Sequence, residues 1–281
     1  MAPLVWLVTG CTSGFGSQFV HSLLARGDKV IATARDHSKV QHLEQAGVTT
    51  FQLDITDNQQ AINTIISKAL AVHGRIDVLV NNAAYIAIGT WEDLSYEDWL
   101  AQFDTNVFGT IKTTKALLPY FRERKAGTMV FISSLSGWIG HAGCSAYAGS
   151  KFALEGIVEG LRAETAHLGL RTLLIEPGRF RTNLLSNSNM KACPSNIPEY
   201  AERSKAQMEG LASEDQRQPG DPAKLVEIVL DLVHGDGIAQ GREVPFRLPL
   251  GLDCYTDVKE KCEATLATLE DWRDVATSTD I

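Results

Sequence analysis

The chain has 281 residues, of which 44% are hydrophobic and 21% are charged. This apolar fraction is enough for a sizeable buried core and argues against a disordered protein. The formal net charge is −8, and no run of Lys or Arg stands out. Such a charge balance argues against binding to nucleic acid or to an anionic membrane, so we expect a small molecule as the partner.

The cysteines show no pairing pattern. They are five in number, widely separated and free of any C-x-x-C pair: Cys11, Cys144, Cys193, Cys254 and Cys262. This predicts neither a disulfide framework nor a metal site. The first apolar run lacks a basic leader, and no segment reaches the roughly 18 apolar residues of a membrane span. We therefore expect a cytoplasmic protein.

Short β-rich runs alternate with longer helical patterns through the first two thirds of the chain. The β-rich runs predict strands at about 4–9, 28–33, 48–53, 76–81, 128–133 and 171–176. The helical patterns lie at about 15–26, 37–46, 57–73, 95–123 and 145–168, with Thr56 and Ser95 as predicted caps. This alternation predicts one α/β domain over residues 1–281, a Rossmann-like doubly wound parallel sheet flanked by helices.

The pattern changes near residue 182. Residues 182–219 are rich in Ser and Asn, with weak helical character at about 198–212. An excursion of this length in a compact domain predicts a substrate lid. A helix at about 221–234 and an amphipathic C-terminal helix, within about 253–278, complete the predicted fold.

A glycine-rich turn follows the first predicted strand and opens the first predicted helix. It contains Gly10, Thr12, Ser13, Gly14, Phe15 and Gly16. A pyrophosphate must approach backbone N–H groups at a helix N-terminus, where side chains would obstruct it. The turn therefore predicts a dinucleotide site, and the other interpretation is a tight turn with incidental glycines.

The glycine spacing differs from G-x-G-x-x-G and matches T-G-x-x-x-G-x-G, which is where the chain resembles the short-chain dehydrogenase/reductase family. The run Asn81-Asn82-Ala83-Ala84 is similar to that family's N-N-A-G motif, with Ala in place of the last Gly. The resemblance extends over nearly the whole chain. It implies an oxidoreductase with a nicotinamide cofactor, and it places Asn82 and Ala83 beside that cofactor.

The end of the second predicted strand bears on which nicotinamide is used. An NAD enzyme places a carboxylate there for the ribose 2′-OH, whereas this chain has Ala34. Arg35 follows, and a guanidinium can pair with a 2′-phosphate. We therefore predict NADP(H). The alternative is that Asp36 takes the acidic role after a shift of one residue, as in an NAD enzyme.

Further positions resemble the family's cofactor contacts. Asp54, after the third strand, is similar to the residue that contacts the adenine amino group, although a helix cap is an equal interpretation. The run from Pro177 and Gly178 to Thr182 resembles P-G-x-x-x-T. In the family, that strand end and its hydroxyl hold the nicotinamide carboxamide. The alternative for Thr182 is an N-cap of the lid.

Tyr147 and Lys151 lie four residues apart in a helical pattern and so share one helix face. This pair alone is a weak motif. However, Ser134 lies at the family's spacing before Tyr147 and at the end of a predicted strand, with Ser133 as the alternative. By resemblance, Asn106 is the fourth catalytic residue and holds a water that relays protons to Lys151. The other interpretation is a buried Asn bonded to a helix carbonyl.

These residues imply a ketoreductase or alcohol dehydrogenase in which Tyr147 is the general acid/base and Ser134 polarises the carbonyl oxygen. Acid/base work near neutrality requires the pKa of Tyr147 to fall by about 3 units from its ordinary value near 10. We expect Lys151 and the helix N-terminus to lower that pKa. By resemblance, Lys151 also bonds the nicotinamide ribose.

Two segments predict a substrate pocket of mixed apolar and aromatic character. One lies between Ser134 and Tyr147, and the other is the predicted lid. The candidate residues of the pocket are Trp138, His141, Cys144 and Leu184, with Leu185, Met190 and Met208. For His141 we favour a neutral packed side chain over a bond to substrate. The run Arg247–Asp253 resembles a subgroup close to the 17β-hydroxysteroid dehydrogenases, which implies lipophilic or polycyclic ketones and alcohols.

Other functions stay open. They are an NADP(H)-binding regulator or redox sensor without turnover, NAD-dependent alcohol oxidation, and an epimerase or dehydratase of the longer-chain type. The filled catalytic positions favour the enzyme, and the chain is short for the last alternative. Family members pair through two long middle helices, here at about 95–123 and 145–168, so we expect a homodimer or homotetramer.

Overall fold

The computed structural model describes residues 2–281. Its strands, in chain order, are β1 (Val5–Val8), β2 (Lys29–Ala34), β3 (Thr49–Gln52), β4 (Val78–Asn81), β5 (Ile86–Ile88), β6 (Gly127–Ile132), β7 (Leu170–Pro177), β8 (Met190–Ala192) and β9 (Arg247–Leu250). Seven of them form a parallel sheet in the order β3-β2-β1-β4-β6-β7-β9. The other two, β5 and β8, pair in parallel beside it.

The helices are α1 (Gly14–Ala25), α2 (Gln59–His73), α3 (Tyr96–Phe103), α4 (Thr110–Arg124), α5 (Ser145–Thr165), α6 (Pro198–Glu214), α7 (Pro222–His234), α8 (Leu252–Asp271) and α9 (Arg273–Thr277). Helices α1 and α7 cover one face of the sheet, and α2, α4 and α5 cover the other. None of the helices within residues 2–281 is long and apolar enough to cross a lipid bilayer.

Both faces of the sheet are buried, and β1 shows how. Alternate residues of a strand point to opposite faces. Trp6 and Val8 join the core under α1 and α7, while Val5 and Leu7 join the core under α2, α4 and α5. A parallel sheet needs cover on both sides, which explains why its strands are almost continuously apolar. The predicted Rossmann-like α/β fold is confirmed.

The strand order reverses between β1 and β4. From β1 the chain moves outward to β3, then returns to β4 and continues the opposite way to β9. In open parallel sheets, ligands bind in the crevice at the carboxyl ends of the strands where this reversal occurs. The glycine-rich turn after β1 and the Asn82 segment after β4 meet at that crevice.

Two helix predictions on the cofactor side were wrong in detail. Residues 37–46 form two short 3₁₀ helices, His37–Lys39 and Gln41–Ala46, because Val40 between them leaves helical geometry at φ −120°. The cap of α2 is Asn58, whose side chain accepts the Ala61 N–H at 3.0 Å, and not Thr56. The predicted cap Ser95 is confirmed, in a reciprocal capping box at the start of α3.

The helix predicted over residues 95–123 is interrupted. Residues Asp104–Gly109 form a π-helical turn between α3 and α4. A π turn contains one more residue than an α turn and is frequently found at functional sites. Asn106 lies inside this turn and is buried.

The predicted lid is better ordered than its sequence suggests. It contains a 3₁₀ turn at Asn183–Leu185, the strand β8 and the full helix α6. Pairing of β8 with β5 fastens the segment to the chain just after β4. The edge strand β9, which the sequence analysis did not predict, precedes α8 and α9 in the region of the predicted C-terminal helix.

Candidate active site

A cleft of about 1350 Å³ lies along the carboxyl ends of the central strands. One end is formed by the glycine-rich turn and the residues after β2 and β3. The middle is formed by Ser134, Tyr147 and Lys151, and the far end by residues of the predicted lid. Within residues 2–281, no His, Cys, Asp and Glu side chains group closely enough to hold a metal ion.

The glycine-rich turn has the geometry of a phosphate cradle. Gly10 and Gly14 adopt positive φ angles of 71° and 56°, where residues with a Cβ are disfavoured. No side chain caps the N-terminus of α1, although Ser13 stands at the capping position. The first N–H groups of α1 therefore face the cleft beside Thr12, Ser13 and Phe15, as a bound pyrophosphate would require.

Gly16 is packed closely against the rest of the turn, and its predicted contact to the cofactor stays a prediction. It does not line the cleft, and a Cβ there would lie 2.7 Å from the side-chain nitrogen of Asn82. Asn82 in turn donates to the carbonyls of Thr9 and Gly10 at 2.8 and 3.2 Å. The N–H of Ala83 donates to the Thr9 hydroxyl at 3.1 Å. Asn82 and Ala83 thus fix the shape of the turn while also lining the cleft.

The residues that follow β2 distinguish Arg35 from Asp36, the two candidates for contacting the ribose of the cofactor. Ala34 is the last residue of β2, as predicted, and Arg35 is exposed along the cleft. Asp36 also lines the cleft, but its carboxylate accepts the N–H and hydroxyl of Ser38, which lowers its pKa. Lys39, which was not predicted from the sequence, lines the same end of the cleft. Its position four residues after Arg35 is the only sequence feature that could have indicated it.

The side chain of Asp54 caps a turn. It lines the cleft, but one carboxylate oxygen accepts the N–H and the hydroxyl of Thr56 at 2.9 and 2.7 Å. A contact to adenine stays a prediction.

Thr182 caps the predicted lid and also lines the cleft. Its hydroxyl accepts the N–H of Leu184 at 3.4 Å, so it caps the first turn of the predicted lid. It also lines the cleft and lies against Gly14. Pro177 and Gly178, at the end of β7, line the same wall. The start of the predicted lid therefore meets the phosphate cradle directly.

Tyr147 and Lys151 lie in the first turns of α5 and are only 5% and 3% exposed. The Lys151 ammonium lies 5.7 Å from the centre of the Tyr147 ring and donates to the carbonyl of Ile132 at 2.8 Å. Burial raises the pKa of Tyr147 to about 12, against a smaller lowering by a hydrogen bond from Ser134. The predicted lowering of this pKa by Lys151 is therefore wrong for the chain alone, since burial dominates. Burial also lowers the pKa of Lys151 to about 8.

The structure distinguishes Ser134 from Ser133. Ser133 is buried, and its hydroxyl donates to the carboxylate of Glu155, away from Tyr147. Ser134 is half-buried and lines the cleft together with Tyr147, and its hydroxyl accepts the N–H of Ser136 at 3.1 Å. The geometry favours Ser134 as the residue that meets a substrate oxygen.

Asn106 lies behind the cleft and does not line it. Its amide donates to the carbonyl of Tyr85 and to the hydroxyl of Ser150, each at 3.1 Å, and its oxygen accepts the Tyr85 N–H at 3.2 Å. The carbonyl that accepts from Asn106 is that of Tyr85, in the segment after β4. The alternative interpretation, a bond to a helix carbonyl, is therefore wrong. Asn106 therefore connects the segment after β4 to α5 through Ser150, the residue before Lys151. The predicted role of Asn106 in a water relay stays a prediction.

One of the four predicted substrate residues, Trp138, needs correction, and so does the state favoured for His141. Trp138 does not line the cleft; its ring packs among buried residues near α8, with the Arg247 guanidinium 4.8 Å above it. His141 lines the cleft but is exposed, so the favoured packed state is wrong. The loop after β6 turns Trp138 inward and His141 outward, which spacing alone does not reveal.

The far end of the cleft is an apolar pocket beside Tyr147. Cys144 and Leu184 are there as predicted. Burial raises the pKa of the Cys144 thiol to about 11, so this thiol is uncharged near neutrality. The same apolar cluster contains Ile86, Met190, Met208 and Leu211. Neither Ile86 nor Leu211 was predicted: no motif marks the short strand of Ile86, and within the predicted lid only Met208 was taken from the helix that also carries Leu211.

Known proteins share both the sequence and the fold. Residues 4–192 match the family model of short chain dehydrogenases. The oxidoreductase BOA17 of Botryotinia fuckeliana is 32% identical over 280 residues, which cover 97% of this chain and 97% of that protein.

Solved structures agree. A short-chain dehydrogenase from Streptomyces avermitilis is 37% identical with a TM-score of 0.89, and the match covers 100% of both chains. The closed form of serine dehydrogenase complexed with NADP⁺ is 28% identical with a TM-score of 0.71, over 88% of this chain and 94% of that one. With the family's motifs gathered at one cleft of one parallel sheet, the chain belongs to the short-chain dehydrogenase/reductase family of oxidoreductases.

Proposed function

We propose that the protein is an NADPH-dependent ketoreductase that converts the carbonyl of a lipophilic or polycyclic substrate into a secondary alcohol. One observation carries this proposal: the buried Tyr147 and the hydroxyl-bearing Ser134 line the same cleft, between the phosphate cradle and the apolar pocket. A proton donor and a hydrogen-bond donor thus converge on one point in a water-poor site, which is what carbonyl reduction requires.

NADPH is the proposed cofactor because the cradle fits a pyrophosphate and the ribose end offers cations. Arg35 and Lys39 line that end, while the carboxylate of Asp36 is engaged by Ser38. The similarity to serine dehydrogenase complexed with NADP⁺ supports the same choice. When bound, NADPH supplies the hydride.

In the proposed reaction, Tyr147 transfers its phenolic proton to the substrate oxygen, which Ser134 steadies with a hydrogen bond. The raised pKa of Tyr147 keeps this group protonated at neutral pH but also makes it a weaker acid, so proton transfer requires the phenolate to be stabilised as it forms. Lys151 is charged below pH 8 because its pKa lies at about 8. Its ammonium lies close enough to favour the phenolate as that charge develops.

The test is NADPH oxidation, followed by absorbance, with ketones ranging from small diketones to steroids and aromatic polyketides. Tyr147→Phe removes the proton donor and keeps the ring. We expect it to lower kcat by about 100-fold or more. If wild type and Tyr147→Phe oxidise NADPH at the same rate with every ketone, the proposed function is wrong.

A second measurement tests the cofactor. Arg35→Ser is expected to weaken NADPH binding by about 10-fold, because a charge-assisted bond to the 2′-phosphate is lost from an exposed site. Binding of NADH, which lacks that phosphate, should not change. Arg242→Ser, which removes an equal charge from an exposed position away from the cleft, serves as the control. Equal weakening of both cofactors by Arg35→Ser would contradict the assignment.

A further inference from the structure

Two buried carboxylates lie directly behind the cleft. Glu155 on α5 is 4% exposed and Glu176 on β7 is 0% exposed. Arg247 of β9 reaches both: its guanidinium pairs with Glu155, and its Nε lies 3.1 Å from Oε1 of Glu176. The reaction proposed above uses none of these three side chains.

The charges of this cluster do not balance if both acids are ionised. Two carboxylates share one guanidinium in a buried setting, and closely spaced buried carboxylates retain a proton between them. Glu155 accepts the Ser133 hydroxyl and pairs with Arg247. Within residues 2–281, neither carboxylate oxygen of Glu176 has a hydrogen-bond partner. Glu155 is thus the carboxylate with the better hydrogen-bond partners, and Glu176 is the member that holds the proton.

The pKa of Glu176 agrees with this assignment. Burial raises it to about 8, and the charge of Glu155 adds to the rise. Trp138 and Arg247 act in the opposite direction and do not cancel it. At neutral pH the cluster therefore carries one negative charge, on Glu155, facing one positive charge on Arg247.

Glu155 also lies one helical turn after Lys151, on the same face of α5. The two side chains hold neighbouring residues at the end of β6: Lys151 donates to the carbonyl of Ile132, and Glu155 accepts from the hydroxyl of Ser133. Ser134 is the next residue. Both side chains therefore fix the strand end from which Ser134 enters the cleft.

The charge of Glu155 acts on Lys151 as well. Burial lowers the pKa of Lys151, and Glu155 is the neighbouring charge that opposes this lowering. Without that anion, a lysine only 3% exposed would lose its proton closer to neutrality.

Helix α8 brings further titratable groups to the cluster: Cys254, the cation Lys261, and Asp253 and Asp257, whose charges act on Cys254. From α8, the Cys254 thiol donates to the carbonyl of Glu176, and burial raises its pKa to about 12. Lys261, also on α8, donates to the carbonyl of Trp138 at the outer side. The turn after Ser134 contributes Gly137, where a Cβ would lie 2.6 Å from Oε1 of Glu155. The backbone therefore closes tightly over this carboxylate.

We propose that Glu155 is a positioning residue for the reaction: its carboxylate accepts the Ser133 hydroxyl and so fixes the strand end bearing Ser134, and it is the buried anion one helical turn from the Lys151 ammonium. This inference rests on the proposed roles of Tyr147 and Lys151. It assigns the buried cluster to the site, although no member of it touches a substrate.

The direct test is the titration of Lys151 by NMR in protein labelled at the lysine ε-carbons, with the signal assigned by Lys151→Arg. Glu155→Gln removes the charge and keeps the shape. It should lower the titration midpoint of Lys151 by about half a pH unit or more. Glu176→Gln, which resembles the protonated acid, is the matched control and should shift the midpoint less than half as far. Equal midpoints in wild type and Glu155→Gln, or equal shifts in both variants, would overturn the proposal.

The pH profile of kcat/KM, which reports ionisations of the free enzyme, is the second readout. Its alkaline limb, where Lys151 loses its proton, should move to lower pH in Glu155→Gln by the same amount as the NMR midpoint. The NMR titration requires no turnover. A wild-type protein that reduces no ketone would therefore count against the proposed function and leave the test of Glu155 intact.

Glu155→Asp keeps the proposal testable if Glu155→Gln does not fold. It retains the charge but shortens the reach to Ser133. We expect the midpoint of Lys151 to stay near the wild-type value while kcat falls, because the strand end is held less firmly. A clear fall of the midpoint in Glu155→Asp, or an unchanged kcat, would overturn the proposal.

Discussion

Replacing Gly16 with alanine should destabilise the protein, although alanine is the better helix former. Gly16 lies in the first turn of α1, where the added methyl would stand 2.7 Å from the Asn82 amide nitrogen and 2.8 Å from the carbonyl carbon of Gly10. Real Cβ atoms essentially never come closer than 3.0 Å to such atoms. Either α1 or the phosphate cradle must therefore move by several tenths of an ångström.

Two opposing effects set the size of the change. Overpacking of this kind costs about 1–3 kcal/mol. Replacing a helical glycine with alanine returns at most about 0.5–1 kcal/mol. Gly156→Ala isolates the second effect, because Gly156 lies within α5 with nothing within 4 Å of its added methyl. Because the helix gain is common to both, the two variants should differ in free energy of unfolding by the overpacking cost, about 1–3 kcal/mol.

The assay is urea unfolding of wild type and both variants, with NADPH binding measured in parallel. Gly156→Ala should be slightly more stable than wild type and bind NADPH unchanged. Gly16→Ala should be less stable and bind NADPH more weakly, because the cradle is displaced. If Gly16→Ala is as stable as Gly156→Ala, the close approach of α1 to the cradle does not constrain residue 16.

Asn106→Ala should lower the free energy of unfolding by about 1–3 kcal/mol, because the main-chain groups of Tyr85 lose their hydrogen-bond partner. If urea unfolding gives this variant a free energy of unfolding within about 0.5 kcal/mol of wild type, the prediction is wrong. Glu176→Gln tests the buried proton through stability. The folded pKa of Glu176, about 8, lies above its ordinary 4.5, so the proton's contribution is complete below pH 4.5 and is lost as the pH rises through 8. The free energy of unfolding of wild type, relative to Glu176→Gln, should therefore decline from pH 5 to pH 8. Parallel pH dependence in the two proteins would refute the assignment.

The parallel sheet was predictable because its strands are short apolar runs separated by helices. The buried strands β1 and β4 both read as continuous hydrophobic segments, and a glycine-rich turn marks the end of the first. The edge strand β9 was missed because Pro249 breaks its β pattern, and proline is tolerated only at an edge or a bulge. The strands β5 and β8 have only three residues each, too few for a periodicity.

The site was predictable where one motif carries several residues. Tyr147 and Lys151 share a helix face, and four residues of spacing are enough to place them together. The position of Trp138 was wrong because the direction of a loop is set by packing against α8, far along the chain. Glu155 and Arg247 are 92 residues apart, and nothing local to either signals their ion pair.

The π turn at Asp104–Gly109 also restricts how this protein can vary in length. It is an α-helix with one residue inserted, so deleting any single residue there would restore regular α-helix. Every residue of α4 would then rotate by about 100° around the helix axis. Leu117 and Phe121, now in the core, would turn toward solvent. Substitutions within the turn are local events, whereas a one-residue deletion would reassign the whole inner face of α4.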